Sequence, residues 1–180
     1  NKNIINFLEL NIDEFNLKKD HYNLIFSNCF LHLTDNFEDK IKMIFNSMKS
    51  NSFFIAAIPD KENMYQLLNS MYKTDIFFYD GVFQRFNPTI EIDNILTYFK
   101  RYQFDNPLIH SENIIIHYSL FSKLLKDIKM MNLSYAYNDK KKIFEKKKYF
   151  EKLENIYLRD YYDNGFKIDI KINFISGWKK

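Results

Sequence analysis

Apolar and polar positions follow two rhythms along this chain, one of period two and one near three and a half, and these place its elements. Ile4–Leu10 is a short apolar run expected to be a strand, and polar, loop-like Asp13–Asp20 follows it. Tyr22-Asn23-Leu24-Ile25-Phe26 is rich in β-formers and bounded by polar residues, which predicts a buried strand. Asp35 or Asn36 can cap a helix over Glu38–Met48, with Ile41, Ile44, Phe45 and Met48 on one face. Ser52–Ile58 predicts a second buried strand. Pro59-Asp60 then starts a helix through Tyr72, with Met64, Leu67, Leu68 and Met71 inward. Strand, helix, strand, helix is the order of a parallel sheet in an α/β fold.

The second half is less regular at first. Asp75–Pro88 is aromatic and carries no clear period. Pro88-Thr89 opens a helix with Ile92, Ile95, Leu96 and Phe99 on its apolar side. Asn106–Tyr118 holds two extended pieces around His110-Ser111, and Leu120–Met131 is helical. Asp139–Tyr162 predicts a long helix with Ile143, Phe150, Leu153 and Tyr157 inward. Phe166–Trp178 alternates: Phe166, Ile168, Ile170, Ile172 and Phe174 against Lys167, Asp169, Lys171 and Asn173. That predicts a half-buried antiparallel strand. No internal repeat and no Pro/Gly/Ser-rich linker interrupts the pattern, so one domain over 1–180 is expected.

Composition removes several classes. At 180 residues the chain is long enough to bury a core without staples. Its single cysteine, Cys29, excludes an internal disulfide and a thiolate zinc ribbon. Apolar runs such as Phe53–Ile58 are too short to span a bilayer, and no signal peptide is visible. Net charge is +3, too mild to imply nucleic acid. Of 26 basic residues only Arg85, Arg101 and Arg159 are arginine, and there are only three glycines beside 19 Phe and 13 Tyr. An AT-rich genome imposes this bias on any protein, so the lysine excess is discounted as a signal.

The order of motifs from Asn11 to Tyr65 is the most informative feature. Asp13-Glu14-Phe15-Asn16-Leu17 leads into Tyr22-Asn23-Leu24-Ile25-Phe26, then Ser27, Leu31-His32, a helix, and Lys49-Ser50-Asn51-Ser52 before the next strand. Asp60–Leu67 follows, and the chain closes on Ile175-Ser176-Gly177-Trp178-Lys179. This resembles the class I S-adenosylmethionine-dependent methyltransferases from near their third strand to their end. It is similar to the subgroup that holds the malonyl-carrier-protein methyltransferase of biotin synthesis and a mitochondrial complex I assembly factor assigned as a protein-arginine hydroxylase. The ending favours the assembly-factor branch.

The resemblance implies an α/β fold. The expected architecture is a Rossmann-like class I methyltransferase sheet, its later strands ending in an antiparallel hairpin and flanked by helices. The family's glycine-rich loop and the acidic residue after its second strand have no counterpart here. Asn23 stands in place of the family's Asp, and Ser50 and Ser52 in place of its Pro and Gly. The fold is therefore expected to be incomplete at its N-terminus and to expose an unpaired sheet edge.

For the site, the resemblance implies cofactor contacts from Asn11, Ile12, Ser27, Asn28 and Cys29, with S-adenosylmethionine as cofactor once the glycine-rich loop is supplied. It implies His32, Tyr65 and Tyr118 in a substrate pocket, with a satisfied structural histidine as the alternative at His32. Phe77, Phe78, Tyr79, Phe83 and Phe86 fall where the subgroup carries a pocket-shaping insertion, with core packing or a lid as alternatives. No nucleophile–base–acid set is present, and methyl transfer, which rests on positioning, needs none. His110 and His117, seven apart without cysteines nearby, do not make a metal site.

Two function classes stay open. One is a methyltransferase-like protein, with a protein substrate or assembly partner and a mitochondrial location by resemblance, otherwise cytoplasmic. The other is a non-catalytic assembly or scaffold module of the same ancestry. Lys140–Lys142 and Lys146–Lys148 form a solvated face or a docking surface for an acidic partner. Nucleic-acid binding is not expected, because the aromatics sit on apolar faces. No transmembrane segment is expected, and peripheral membrane association stays open.

Overall fold

The computed structural model describes residues 15–34, 36–86, 90–131 and 145–180. Four strands are present among them: β1 (Tyr22–Asn28), β2 (Met48–Pro59), β3 (Asp105–Tyr118) and β4 (Phe166–Lys179). The helices are α1 (Phe37–Ser47), α2 (Tyr65–Tyr79), α3 (Ile92–Arg101), α4 (Phe121–Met130) and α5 (Lys147–Tyr161), with a 3-10 turn at Leu31–Leu33. The sheet order is β1-β2-β4-β3. β1 and β2 are parallel, joined through α1, with Leu24 beside Phe53 and Phe26 beside Ile55. Close pairs run in opposite directions along β3 and β4: Asp105 meets Lys180, Ser111 meets Asn173, and Tyr118 meets Gly165. β3 and β4 are thus antiparallel neighbours, with α4 and α5 between them in the chain, and the architecture is the mixed α/β sheet the motif order implies.

The chain divides into two compact units. The first lies within Asn1–Ile58, Ile92–Ile109 and Phe174–Lys180, the second within Pro59–Glu91 and His110–Asn173. In the first, Asn36 rather than Asp35 caps α1, its side chain accepting from the Asp39 N–H at 3.3 Å. Ile41 and Ile44 of α1 and Ile95 and Phe99 of α3 are buried. Phe99 and Phe104 stack at 4.4 Å, and Phe54 of β2 lies 6.0 Å from each. Gly177 lies against Phe104 because no side chain fits there: an added Cβ would come within 2.9 Å of its ring. In the second unit, Met64, Leu67, Leu124, Leu153, Tyr157, Phe166 and Ile168 form the core. Each fully buried Leu, Ile or Phe contributes roughly 1.5–3 kcal/mol.

Several elements depart from their sequence expectation. Among the described residues β1 is not buried: it is the edge of the sheet, and Leu24 and Phe26 stand exposed on one face. A short apolar run looks the same whether one neighbour or two flank it. α2 starts later and ends later than expected, at Tyr79 rather than Tyr72, so Asp75–Tyr79 is helix and not irregular chain. β3 is one continuous strand through His110-Ser111, not two pieces. On α5, Tyr149 is buried in place of exposed Phe150, and Ile143 falls outside the described residues.

β4 is not half-buried either. Ile168, Asp169 and Ile170 are all buried, Asn173 is buried, and Phe174 turns outward. The turn before α2 covers its polar side. Asn63 Oδ1 accepts from the Lys171 N–H at 3.0 Å, Gln66 Oε1 from the Asp169 N–H at 3.2 Å, and Asn173 Nδ2 donates to Asp60 Oδ2 at 2.9 Å. These bonds satisfy the Asp169 and Lys171 N–H groups and the Asn173 amide, while Asp169 Oδ1 stays buried with no hydrogen-bond partner among the described residues.

Candidate functional site

Open parallel sheets bind ligands at the carboxyl ends of their strands. β1 ends there on Ser27 and Asn28, paired with Ala56 and Ala57 of β2. Cys29 follows with φ 48°, a left-handed conformation rare outside Gly, Asn and Asp. Its N–H donates to Ala57 O at 2.9 Å, which fixes the turn leaving the strand. The 3-10 turn Leu31–Leu33 is closed by the Thr34 hydroxyl, which donates to Leu31 O at 2.8 Å. That closure holds Leu31 and His32 inward.

Two polar atoms in this stretch, Ser27 Oγ and His32 Nδ1, are buried and have no hydrogen-bond partner among the described residues. An unsatisfied buried polar group costs about 1–3 kcal/mol; among the described residues Asp169 Oδ1 of the second unit is a third such atom. Burial pushes the His32 imidazole down to about 4. It is therefore neutral at pH 7, with one ring nitrogen donating and one accepting. Burial pushes the Cys29 thiol up, so it stays protonated near neutrality and is no nucleophile.

The structure brings Ser27, Asn28, Cys29 and His32 together in the first unit. Tyr65 and Tyr118 belong to the second. Tyr65 opens α2, half-exposed, with its ring edge-on to Tyr161 at 5.9 Å. It borders a depression of about 220 Å³ with Gln66, Asp160, Tyr161, Asp163 and Lys167. Tyr118 ends β3, and burial with a hydrogen bond to Asp127 raises its phenol. Asn11 and Ile12 lie outside the described residues. His110 is exposed and pairs with Glu112 at 2.6 Å. Seven residues along one strand put His117 on the opposite face. Among the described residues no group of three His, Cys, Asp or Glu side chains can hold a metal ion.

One polar cluster escapes any reading by spacing. Asp75 is fully buried on α2, bonded by Arg85 through two nitrogens, by the Tyr149 hydroxyl at 2.7 Å and by the Phe83 N–H at 3.1 Å. Arg85 also reaches Glu145 at 2.9 Å, and its guanidinium lies 5.0 Å from the Tyr149 ring centre. This places Phe83 and Phe86 around a structural ion pair. Phe77, Phe78 and Tyr79 sit on the exposed end of α2. The one available signal was scarcity: Arg85 is one of three arginines, standing in an aromatic stretch.

The fold is that of the class I methyltransferases. Similar solved structures include the YcgJ protein of Bacillus subtilis (TM-score 0.56, 10% identity, 94% of this chain and 68% of that one). A Bacillus halodurans protein assigned as a methyltransferase matches at TM-score 0.56 and 8% identity, over 93% of this chain and 68% of that one. An Anabaena variabilis protein assigned to methyl transfer in antibiotic biosynthesis matches at TM-score 0.51 and 11% identity, over 92% and 70%. Among curated proteins, the mitochondrial arginine-hydroxylase NDUFAF5 of Dictyostelium discoideum is 23% identical over 180 residues, 98% of this chain. The chain spans 41% of that relative's length. No family model matches the sequence. Among the described residues, no helix is long and apolar enough to cross a membrane.

Proposed function

We propose that this chain is part of an S-adenosylmethionine-dependent protein of the methyltransferase fold that acts on a protein subunit during mitochondrial complex I assembly. The observation that carries the reading is the pair of orphaned buried atoms, Ser27 Oγ and His32 Nδ1, at the carboxyl end of β1. A polar cofactor there would satisfy both, so the residues present fit it. Asn28 and the strained Cys29 turn would set the approach of the ligand. When bound, S-adenosylmethionine supplies an electrophilic methyl group. The chain's own part is to hold the ligand and keep water from it. The assembly role, the protein substrate and the mitochondrial location rest on the Dictyostelium relative.

A second reading is a non-catalytic assembly module. It is favoured by the departures within the matched stretch: Asn23, Ser50 and Ser52 stand where the resembling family carries Asp, Pro and Gly. Calorimetric titration with S-adenosylmethionine separates the two. The product of the whole reading frame should bind, and Ser27→Ala together with His32→Ala should weaken binding at least about tenfold. A folded product that gives no heat rejects the cofactor reading and leaves the assembly module.

A further inference from the structure

The depression beside Tyr65 lies wholly within the second unit, and Tyr65, Tyr161 and Tyr162 wall it. Core side chains prop two of these rings. Tyr161 leans on buried Tyr157 with ring centres 5.7 Å apart, and Tyr162 stands edge-on to buried Phe166, also at 5.7 Å. Tyr65 and Tyr161 meet at 90°, so the wall turns a corner rather than lying flat. A ring face attracts a cation within about 6 Å of its centre. The charges favour the same class of ligand. Asp160 and Asp163 line the depression, and Lys167, the one cation among the lining residues, has its Nζ 3.9 Å from Asp169 Oδ1. Asp169 is 7% exposed, and that oxygen has no hydrogen-bond donor among the described residues. A buried carboxylate oxygen without a donor is negative charge still to be balanced, and a cation in the depression balances it.

Free acceptors narrow the choice of cation. A lysine-type ammonium brings three N–H donors and a guanidinium five. The depression cannot serve them. Asp160 already accepts from Lys73 at 2.8 Å and from Arg159 at 2.6 Å, and Gln66 Oε1 from the Asp169 N–H at 3.2 Å. The Tyr161 hydroxyl accepts from Asn69 at 3.4 Å. Beyond the tyrosine hydroxyls, only Asp163 keeps a free acceptor group among the lining residues. Each methyl group added to an ammonium removes one N–H and keeps the charge. We propose that this depression binds a methylated ammonium group, seated against the rings of Tyr65, Tyr161 and Tyr162 with Asp163 as its counter-ion. At about 220 Å³ the space is smaller than the roughly 300–1,000 Å³ of a cleft for a drug-sized ligand, so it takes a headgroup and leaves the carrier outside. The inference does not rest on the cofactor reading.

Nuclear magnetic resonance titration of the product of the whole reading frame tests it, with choline and a trimethyl-lysine peptide as probes. A bound probe should shift the ring signals of Tyr65, Tyr161 and Tyr162. The tighter of the two identifies the carrier as a small molecule or a protein side chain, and either supports the proposal. Their unmethylated counterparts, ethanolamine and the plain lysine peptide, should bind at least about tenfold more weakly, as should dimethylbutanol, the uncharged isostere of choline. Tyr162→Leu and Asp163→Asn, made at exposed side chains, should each weaken binding about threefold or more, with the far-ultraviolet spectrum unchanged. A folded product that binds neither probe overturns the proposal. So does an unmethylated or uncharged counterpart that binds as well as its probe, and so does binding that ignores both substitutions.

Discussion

Replacing Arg85 with methionine keeps the length of the side chain and removes its charge from a site that depends on it. Asp75 is fully buried, and Glu145 is nearly so. In the native protein one guanidinium serves both: its Nε lies 3.2 Å from Asp75 Oδ2 and its Nη2 2.9 Å from Glu145 Oε1. Without it, Asp75 retains among the described residues only the Phe83 N–H and the Tyr149 hydroxyl, and Glu145 keeps the Tyr79 hydroxyl at 2.6 Å. Breaking a buried pair from one side costs about 3–5 kcal/mol, against a total stability on the order of 5–15 kcal/mol. Urea titration followed by circular dichroism should show a loss of that size in Arg85→Met. The triple variant Arg85→Met with Asp75→Asn and Glu145→Gln should recover more than half of it, because no buried charge is left unpaired. A loss under about 1 kcal/mol for the single variant, or no recovery in the triple one, refutes the account of the cluster as a buried ionic lock.

Two further outcomes follow from the geometry. Gly177→Ala brings a Cβ to 2.9 Å from the Phe104 ring, which cannot retreat because it stacks on Phe99; thermal unfolding should show a loss of about 1–3 kcal/mol, and an unchanged melting temperature would mean Phe104 is loosely held. His32 is depressed to about 4 from an unfolded value of 6.5, so between those values the unfolded chain binds the extra proton. Stability tied to His32 is therefore complete above about pH 6.5 and is lost as pH falls towards 4, on the order of 3 kcal/mol in all; His32→Gln should flatten that slope, and a variant with the native pH dependence would contradict it.

The elements easiest to read from the sequence are those in which one apolar stripe meets one core. α1, α3 and α4 bury Ile41 and Ile44, Ile95 and Phe99, and Leu124 and Ile128, as their spacing dictates. α2 resists because its buried side is polar towards its end. Ser70 and Thr74 donate to the carbonyls of Gln66 and Ser70 at 2.8 and 2.7 Å, so their hydroxyls need no outside partner. Ile76 and Phe77 meanwhile face outward. Periodicity scores the wrong face in such a helix. At the candidate site, Ser27–Cys29 are legible as the end of a strand preceding a crossover helix. That Tyr65 and Tyr118 pack in the other unit is not, because the chain crosses between units within β3 and β4. Nor does any local pattern reveal that, among the described residues, only β2 lies beside β1.

The turn before α2 has a consequence for the order in which the protein can fold. Asp60, Asn63, Met64 and Gln66 find their partners at 169, 171 and 173, more than a hundred residues later. Such contacts carry a large loop-closure cost and are slow to form. During synthesis, β1, α1 and β2 can assemble from neighbouring sequence, but the turn before α2 stays hydrated at Asn63 and Gln66 until residues 169–173 emerge. The seam between the beginning and the end of the second unit therefore closes late.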